Sequence, residues 1–124
     1  QQTGNLVFIS GQGCIEDGVH LTGRAGADVT VEEAARRAEI CMKNTLAALE
    51  GYLGTLERVK KPVKILAFVA GTDDFTQQAV VVNGASQLLL DVFGDAGRHA
   101  RSAIGTNGLP LGLTVEIESI FEVE

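Results

Sequence analysis

The chain has 124 residues, 45% of them hydrophobic, with no Trp and only two Cys, which is enough for one aliphatic core and too little for two domains. Its net charge of -6, with basic residues scattered rather than clustered, argues against the polycationic surface on which nonspecific nucleic-acid binding depends. No apolar run approaches the roughly 20 residues of a membrane span, and the opening stretch lacks the basic and apolar regions of a signal peptide, so a cytoplasmic location without membrane contact is expected.

Leu6 to Ser10 is a short apolar run ending in Gly11-Gln12-Gly13, the pattern of a strand entering a turn. Val19 to Thr22 is its expected hairpin partner, with Glu16-Asp17-Gly18 as the turn. Thr30 followed by Glu33 has the S/T-x-x-E form of a helix N-terminus and predicts a helix over Val31 to Leu53. Along it Ala34, Ala38, Cys41, Thr45, Ala48 and Leu49 recur at helical spacing, so the buried stripe is rich in small side chains. Cys41 belongs to that stripe. It and Cys14 show no metal-ligand spacing and no disulfide framework, and are read as reduced thiols.

Pro62 to Thr72 reads as a strand, and its unbroken apolarity from Ile65 to Ala70 predicts an interior position. Asp73-Asp74 is the expected start of a second helix over Phe75 to Phe93, with Val81, Ala85, Leu88, Leu89 and Val92 facing the core. Asn83-Gly84 in its middle lowers helix propensity without serving a cap, which predicts a kink or a site there. Strands are then expected over Arg101 to Thr106 and Leu113 to Val123, joined by the loop Asn107 to Gly112. In the last strand Val115, Ile117, Phe121 and Val123 form the core face, and Thr114, Glu116, Glu118, Ile120 and Glu122 the other. This order predicts an α+β domain, a mixed sheet with two helices on one face. The uncovered face predicts burial against another subunit.

Arg101 is the residue with most to say about chemistry, because a guanidinium can hold a carboxylate through two parallel hydrogen bonds. Two accounts stand open at this point: an ordinary ion pair with Glu116 or Glu118, and an anchor for a small anionic ligand. His20 and His99 have no partner close in sequence and are read as structural or surface residues.

The combination of ISGQG at Ile9 to Gly13, Asn44 before LAAL, VKILAFV at Val63 to Val69, Asp74-Phe75, Asn83, ARS at Ala100 to Ser102, and LP before VEIE at Val115 to Glu118 resembles the Rid family of reactive intermediate deaminases, also called YjgF or L-PSP endoribonucleases. The resemblance is collinear over nearly the whole chain, residues 1 to 124 forming one domain. It implies a chorismate mutase-like fold of the bacillus type, assembled as a homotrimer whose sheets face inward as a barrel with clefts between neighbours. It also implies hydrolysis of small enamines and imines, of the 2-aminoacrylate type, to 2-keto acids and ammonia, the activity of a 2-iminobutanoate/2-iminopropanoate deaminase.

By that resemblance Arg101 binds the substrate carboxylate, Glu116 orients or activates water, the backbone at Ala103 helps hold the substrate, and Ser10 and Asn83 line or support the cleft. No metal and no other cofactor is implied, since an imine is already electrophilic and needs a placed water, a carboxylate anchor and a proton carrier. Glu116 retains a second account as a solvated strand carboxylate. The sequence departs from the family in carrying Ala103 where a cysteine is common and His99 where proline usually precedes ARS; it also begins near the first family strand, without the short upstream segment that by the resemblance gives an aromatic residue to the cleft, so either that segment precedes Gln1 or the site is built differently. Three other functions fit less: a noncatalytic binding module for a small carboxylate metabolite, an endoribonuclease, against which the acidic charge counts, and a chorismate mutase, since that name describes a fold.

Overall fold

The computed structural model describes all 124 residues. A five-stranded sheet is formed by β1 (Gln2–Thr3), β2 (Leu6–Gly13), β5 (Val59–Ala70), β6 (Ala100–Thr106) and β7 (Val115–Val123), in the order β1-β2-β7-β5-β6, while β3 (Ile15–Glu16) and β4 (Val19–His20) make a separate ribbon. Only β5 and β6 pair in parallel. They have to be joined by a crossover, which α2 (Gln78–Phe93) supplies. α2 and α1 (Val31–Leu53) cover the same face of the sheet, as the α+β pattern requires.

The helix over Val31 to Leu53 begins and ends as expected. Thr30 Oγ1 accepts from the Glu33 amide at 3.1 Å, and Gly54 closes the helix in the left-handed region at φ 85° with its N–H on the Glu50 carbonyl. Ala34, Ala38, Cys41, Thr45 and Leu49 are fully buried. They meet Ile65, Ala67 and Val69 of β5 and Val115, Ile117 and Phe121 of β7 in one core, closed at one end by the tilted rings of Phe93 and Phe121, 6.5 Å apart.

The sequence expectations need correction at several points, and among the core-facing helix positions Ala48 and Val92 are in fact exposed. Val19–His20 pairs with Ile15–Glu16, not with Leu6 to Ser10; the Asp17-Gly18 turn is real, with both residues at positive φ, but it closes the nearest flanks, and β2 takes β7 as its partner instead. The second helix starts at Gln78 rather than Phe75, because Asp74 accepts from Thr72 Oγ1 at 2.7 Å and closes a turn ahead of the helix. Thr114 is fully buried, since its hydroxyl reaches the Gly23 carbonyl at 2.9 Å and accepts from Arg37 at the same distance. Gly84 has a packing reason: an added Cβ would lie 2.0 Å from the Ala35 carbonyl oxygen, so α2 passes hard against α1 at this glycine.

The opposite sheet face has no helix over it. Phe8 and Ile104 are 42% and 44% exposed on it, and Leu66, Phe68 and Ile120 are half-buried. An apolar sheet face open to water is the property that predicts a partner surface.

Candidate functional site

Arg101 pairs in parallel register with Ile65, whose side chain lies in the core under the helices, so Arg101 rises on the helix side of the sheet. It sits on β6, the edge strand, and its guanidinium turns to the flank of α2. There Nη1 donates to Ser86 Oγ at 3.1 Å and Nη2 to the Ala79 carbonyl at 3.3 Å. None of the ion pairs in the chain includes it. The ordinary ion pair with Glu116 or Glu118 is therefore not formed: both glutamates are on β7, and the register Phe68↔Glu116 and Leu66↔Glu118 puts them on the open face.

Asn83 is exposed and lies between the two contacts of Arg101 along α2, since 79, 83 and 86 recur at helical spacing on one side. The same corner holds His99. Its Nε2 is 2.9 Å from Ser86 Oγ and its Nδ1 2.7 Å from the Gly97 carbonyl. Ala103, one pleat beyond Arg101 and on the same side, packs against the core beside Ala67, so its methyl offers no chemistry and only its backbone faces the edge. Ser86 is the residue that sequence reasoning missed. Its one signal was its position seven after Ala79 and three after Asn83.

Glu116 and Ser10 form a second group on the open face. Ser10 and Gly11 occupy a bulge where the β2–β7 register shifts between Ile9 and Gln12, a distortion that aims local backbone away from the ladder. The Glu116 side chain lies flat against Gly11, where an added Cβ would stand 2.8 Å from Oε2. A larger residue at this position would push the Glu116 carboxylate aside. Ser10 lines a groove of about 360 Å³ with Phe8, Lys64, Leu66, Glu118 and Ile120. One chain thus gathers Arg101, Asn83 and Ala103 at the β6–α2 corner, and Ser10 with Glu116 on the other face.

Cys14 and Cys41, far apart in sequence, are core neighbours. Both are fully buried, each sulfur donating to a carbonyl at 3.3 Å, Cys14 to Leu21 and Cys41 to Val115. Burial pushes the Cys41 thiol up, as expected for a structural cysteine rather than a nucleophile.

The strongest charge cluster lies at the start of α1. Glu33 takes Arg36 Nε at 3.0 Å and Arg37 Nε at 2.7 Å, and these two guanidinium groups, Arg36 first, hold its carboxyl down to about 2. An unfolded glutamate titrates near ~4.3, so this stabilisation is complete above that pH and is lost as pH falls through the folded value. Glu33→Gln is expected to flatten the acid loss of stability between about pH 4 and pH 2, measured by urea unfolding at each pH. An unchanged slope would place the acid transition elsewhere.

A mixed sheet with two helices on one face and an open opposite face is the α+β arrangement of the chorismate mutase-like fold, which the family match and the solved structures below share. The family described as YjgF/chorismate mutase-like, putative endoribonuclease, matches residues 2–120, and the chain belongs to it. It is 42% identical over 123 residues to protein TCP17 of Trypanosoma cruzi, an alignment covering 98% of this chain and 77% of that protein. Among solved structures it is similar to an Agrobacterium tumefaciens protein of unknown function, at 42% identity and a TM-score of 0.97 over 100% of this chain and 81% of that one. It is also similar to a Shewanella oneidensis protein, likewise named a putative endoribonuclease, at 28% identity and a TM-score of 0.95 over 99% and 82%. No helix is long and apolar enough to cross a membrane.

Proposed function

We propose that the chain hydrolyses small enamines and imines bearing a carboxylate, releasing the 2-keto acid and ammonia, at clefts between the subunits of a homotrimer. The observation that carries this reading is the state of Arg101. Its guanidinium is docked by Ser86 and Ala79, has no acidic partner in the chain, and keeps its other N–H groups for an anion. A preorganised, unneutralised arginine of this kind suits a carboxylate ligand.

The trimer supplies what one chain lacks. Packing of the open faces against one another buries Phe8, Leu66, Phe68, Ile104 and Ile120, and brings the Glu116 and Ser10 of one copy toward the edge strand of the next. Glu116 then orients water toward a substrate held by the neighbour's Arg101. The expected activity is an accelerated release of pyruvate when 2-aminoacrylate is generated in a coupled assay. A rate equal to the uncatalysed one would defeat the proposal.

The separation of Arg101 from Glu116 within one chain favours a second reading, a carboxylate-binding module without turnover. Calorimetric binding of a 2-keto acid by a protein that turns over no imine would select it. Ribonuclease activity has less support, because a net charge of -6 opposes an RNA backbone.

A further inference from the structure

Ser86 and His99 make a hydrogen-bonded chain behind Arg101 whose direction, with the imidazole neutral, is set by its ends. The Gly97 carbonyl only accepts, so Nδ1 of His99, 2.7 Å away, carries the proton of the neutral ring. Nε2 is then an acceptor, and the hydroxyl it faces at 2.9 Å must donate to it. Ser86 Oγ accepts from Arg101 Nη1 at 3.1 Å, which uses one of its lone pairs and leaves the other open. A hydroxyl with a base at its back, a cation at its side and one open lone pair is built to receive a proton from whatever Arg101 holds. Arg101, Ser86 and His99 are all half-buried, so the group is neither sealed off nor dispersed in solvent.

We infer that Ser86 is the proton-transferring group beside the carboxylate anchor, with the His99 imidazole as the base that stores the proton. The inference rests on the imine-hydrolase reading of Arg101 given above and adds the proton carrier that reading requires. Once the enamine has taken a proton from solvent on its terminal carbon and become the iminium, the oxygen of water bonds to the iminium carbon while the C=N π pair moves onto nitrogen. One water proton passes to Ser86 Oγ as the serine proton passes to His99 Nε2, leaving a carbinolamine and an imidazolium.

The imidazolium proton returns through Ser86 to the nitrogen. The C–N bond then breaks with its electron pair on departing ammonia, the O–H pair of the carbinolamine becomes the new C=O π bond, and the proton so released travels to His99 and on to ammonia. The products are the 2-keto acid and ammonium, with serine and imidazole restored. General acid–base help of this kind contributes on the order of 10²-fold or more in rate. Glu116 of a neighbouring copy orients the water in this scheme and is not asked to carry its proton.

The test compares the wild type with His99→Gln and Ser86→Ala by steady-state kinetics on enzymatically generated 2-aminoacrylate, together with calorimetry of pyruvate binding. Glutamine can still accept from Ser86 and so keep Arg101 in place, but it takes up no proton. For His99→Gln the expected result is kcat lower by about 10²-fold with KM and the pyruvate Kd within about threefold, whereas Ser86→Ala, which also removes a contact that holds Arg101, is expected to lower kcat as far and to raise KM and Kd with it. An unchanged kcat, or a raised KM at full kcat, overturns the inference, the second outcome reducing Ser86 and His99 to props for Arg101. Inactivity of the wild type would overturn the imine-hydrolase reading and this inference with it, whereas an active wild type with active variants overturns this inference alone.

Discussion

Arg101→Ala is expected to weaken the binding of a small 2-keto acid by on the order of 10²-fold, about 3 kcal/mol, and to remove imine turnover with it. The size follows from what is lost: a permanently charged fork held in one orientation by Ser86 and the Ala79 carbonyl. Arg101→Lys is expected to recover little, because an ammonium is a point charge that cannot satisfy Ser86, Ala79 and both carboxylate oxygens together. The residue lies on an edge strand at the rim of the fold, so the thermal midpoint should move by only a few degrees. Isothermal calorimetry of both variants beside the wild type checks this. Unchanged binding in Arg101→Ala would remove the foundation of the proposed site.

Gly84→Ala is expected to destabilise the fold, although alanine is the better helix former. Two effects compete there. Alanine in a helix interior is favoured over glycine by about 1 kcal/mol, which taken alone predicts a gain. Against it stands a methyl placed 2.0 Å from the Ala35 carbonyl oxygen, backbone that cannot rotate out of the way. Overpacking of a rigid contact costs about 3 kcal/mol, so the steric term wins and the net loss is about 2 kcal/mol or more. In a domain of this size that is a fall in Tm of the order of 10 °C. A Tm equal to or above that of wild type would mean that α1 and α2 stand far enough apart to admit the methyl.

Gly84 also shows why part of the fold was legible in the sequence and part was not. The α1 boundaries could be read because both ends are local: Thr30 caps an amide three residues on, and Gly54 takes the left-handed conformation that few other residues tolerate. The alternation of β7 was readable for the same reason, as its buried face is a period-two pattern. Gly84 looked like a defect because its purpose is a contact with Ala35, forty-nine positions earlier and invisible to any local rule. The early hairpin failed on the same ground. Asp17-Gly18 announces a turn but not which flanks pair, and β2 found its partner in β7 more than a hundred residues away.

The candidate site divides in the same way. The motif residues Ser10, Asn83, Arg101, Ala103 and Glu116 were named from the sequence by resemblance, and the family follows from that resemblance and from the match over residues 2–120. Spacing alone suggested that Arg101 and Glu116 were neighbours, fifteen residues apart around one loop. Strand register decides otherwise: β5 is inserted between β6 and β7, and side chains alternate across a sheet, so the two point to opposite faces. Ser86 entered only with the fold, because its link to Arg101 and His99 depends on how α2 packs on the edge strand.

By itself, then, the sequence determined what its short-range chemistry encodes: two helices and their faces, the principal strands, a mixed α+β domain, and an arginine suited to a carboxylate. Which strands pair, which face carries which charge, and which hydroxyl stands behind the arginine were decided by tertiary structure alone. Those facts depend on contacts between residues tens of positions apart, whose formation is governed by packing of the whole core rather than by any segment's own preference.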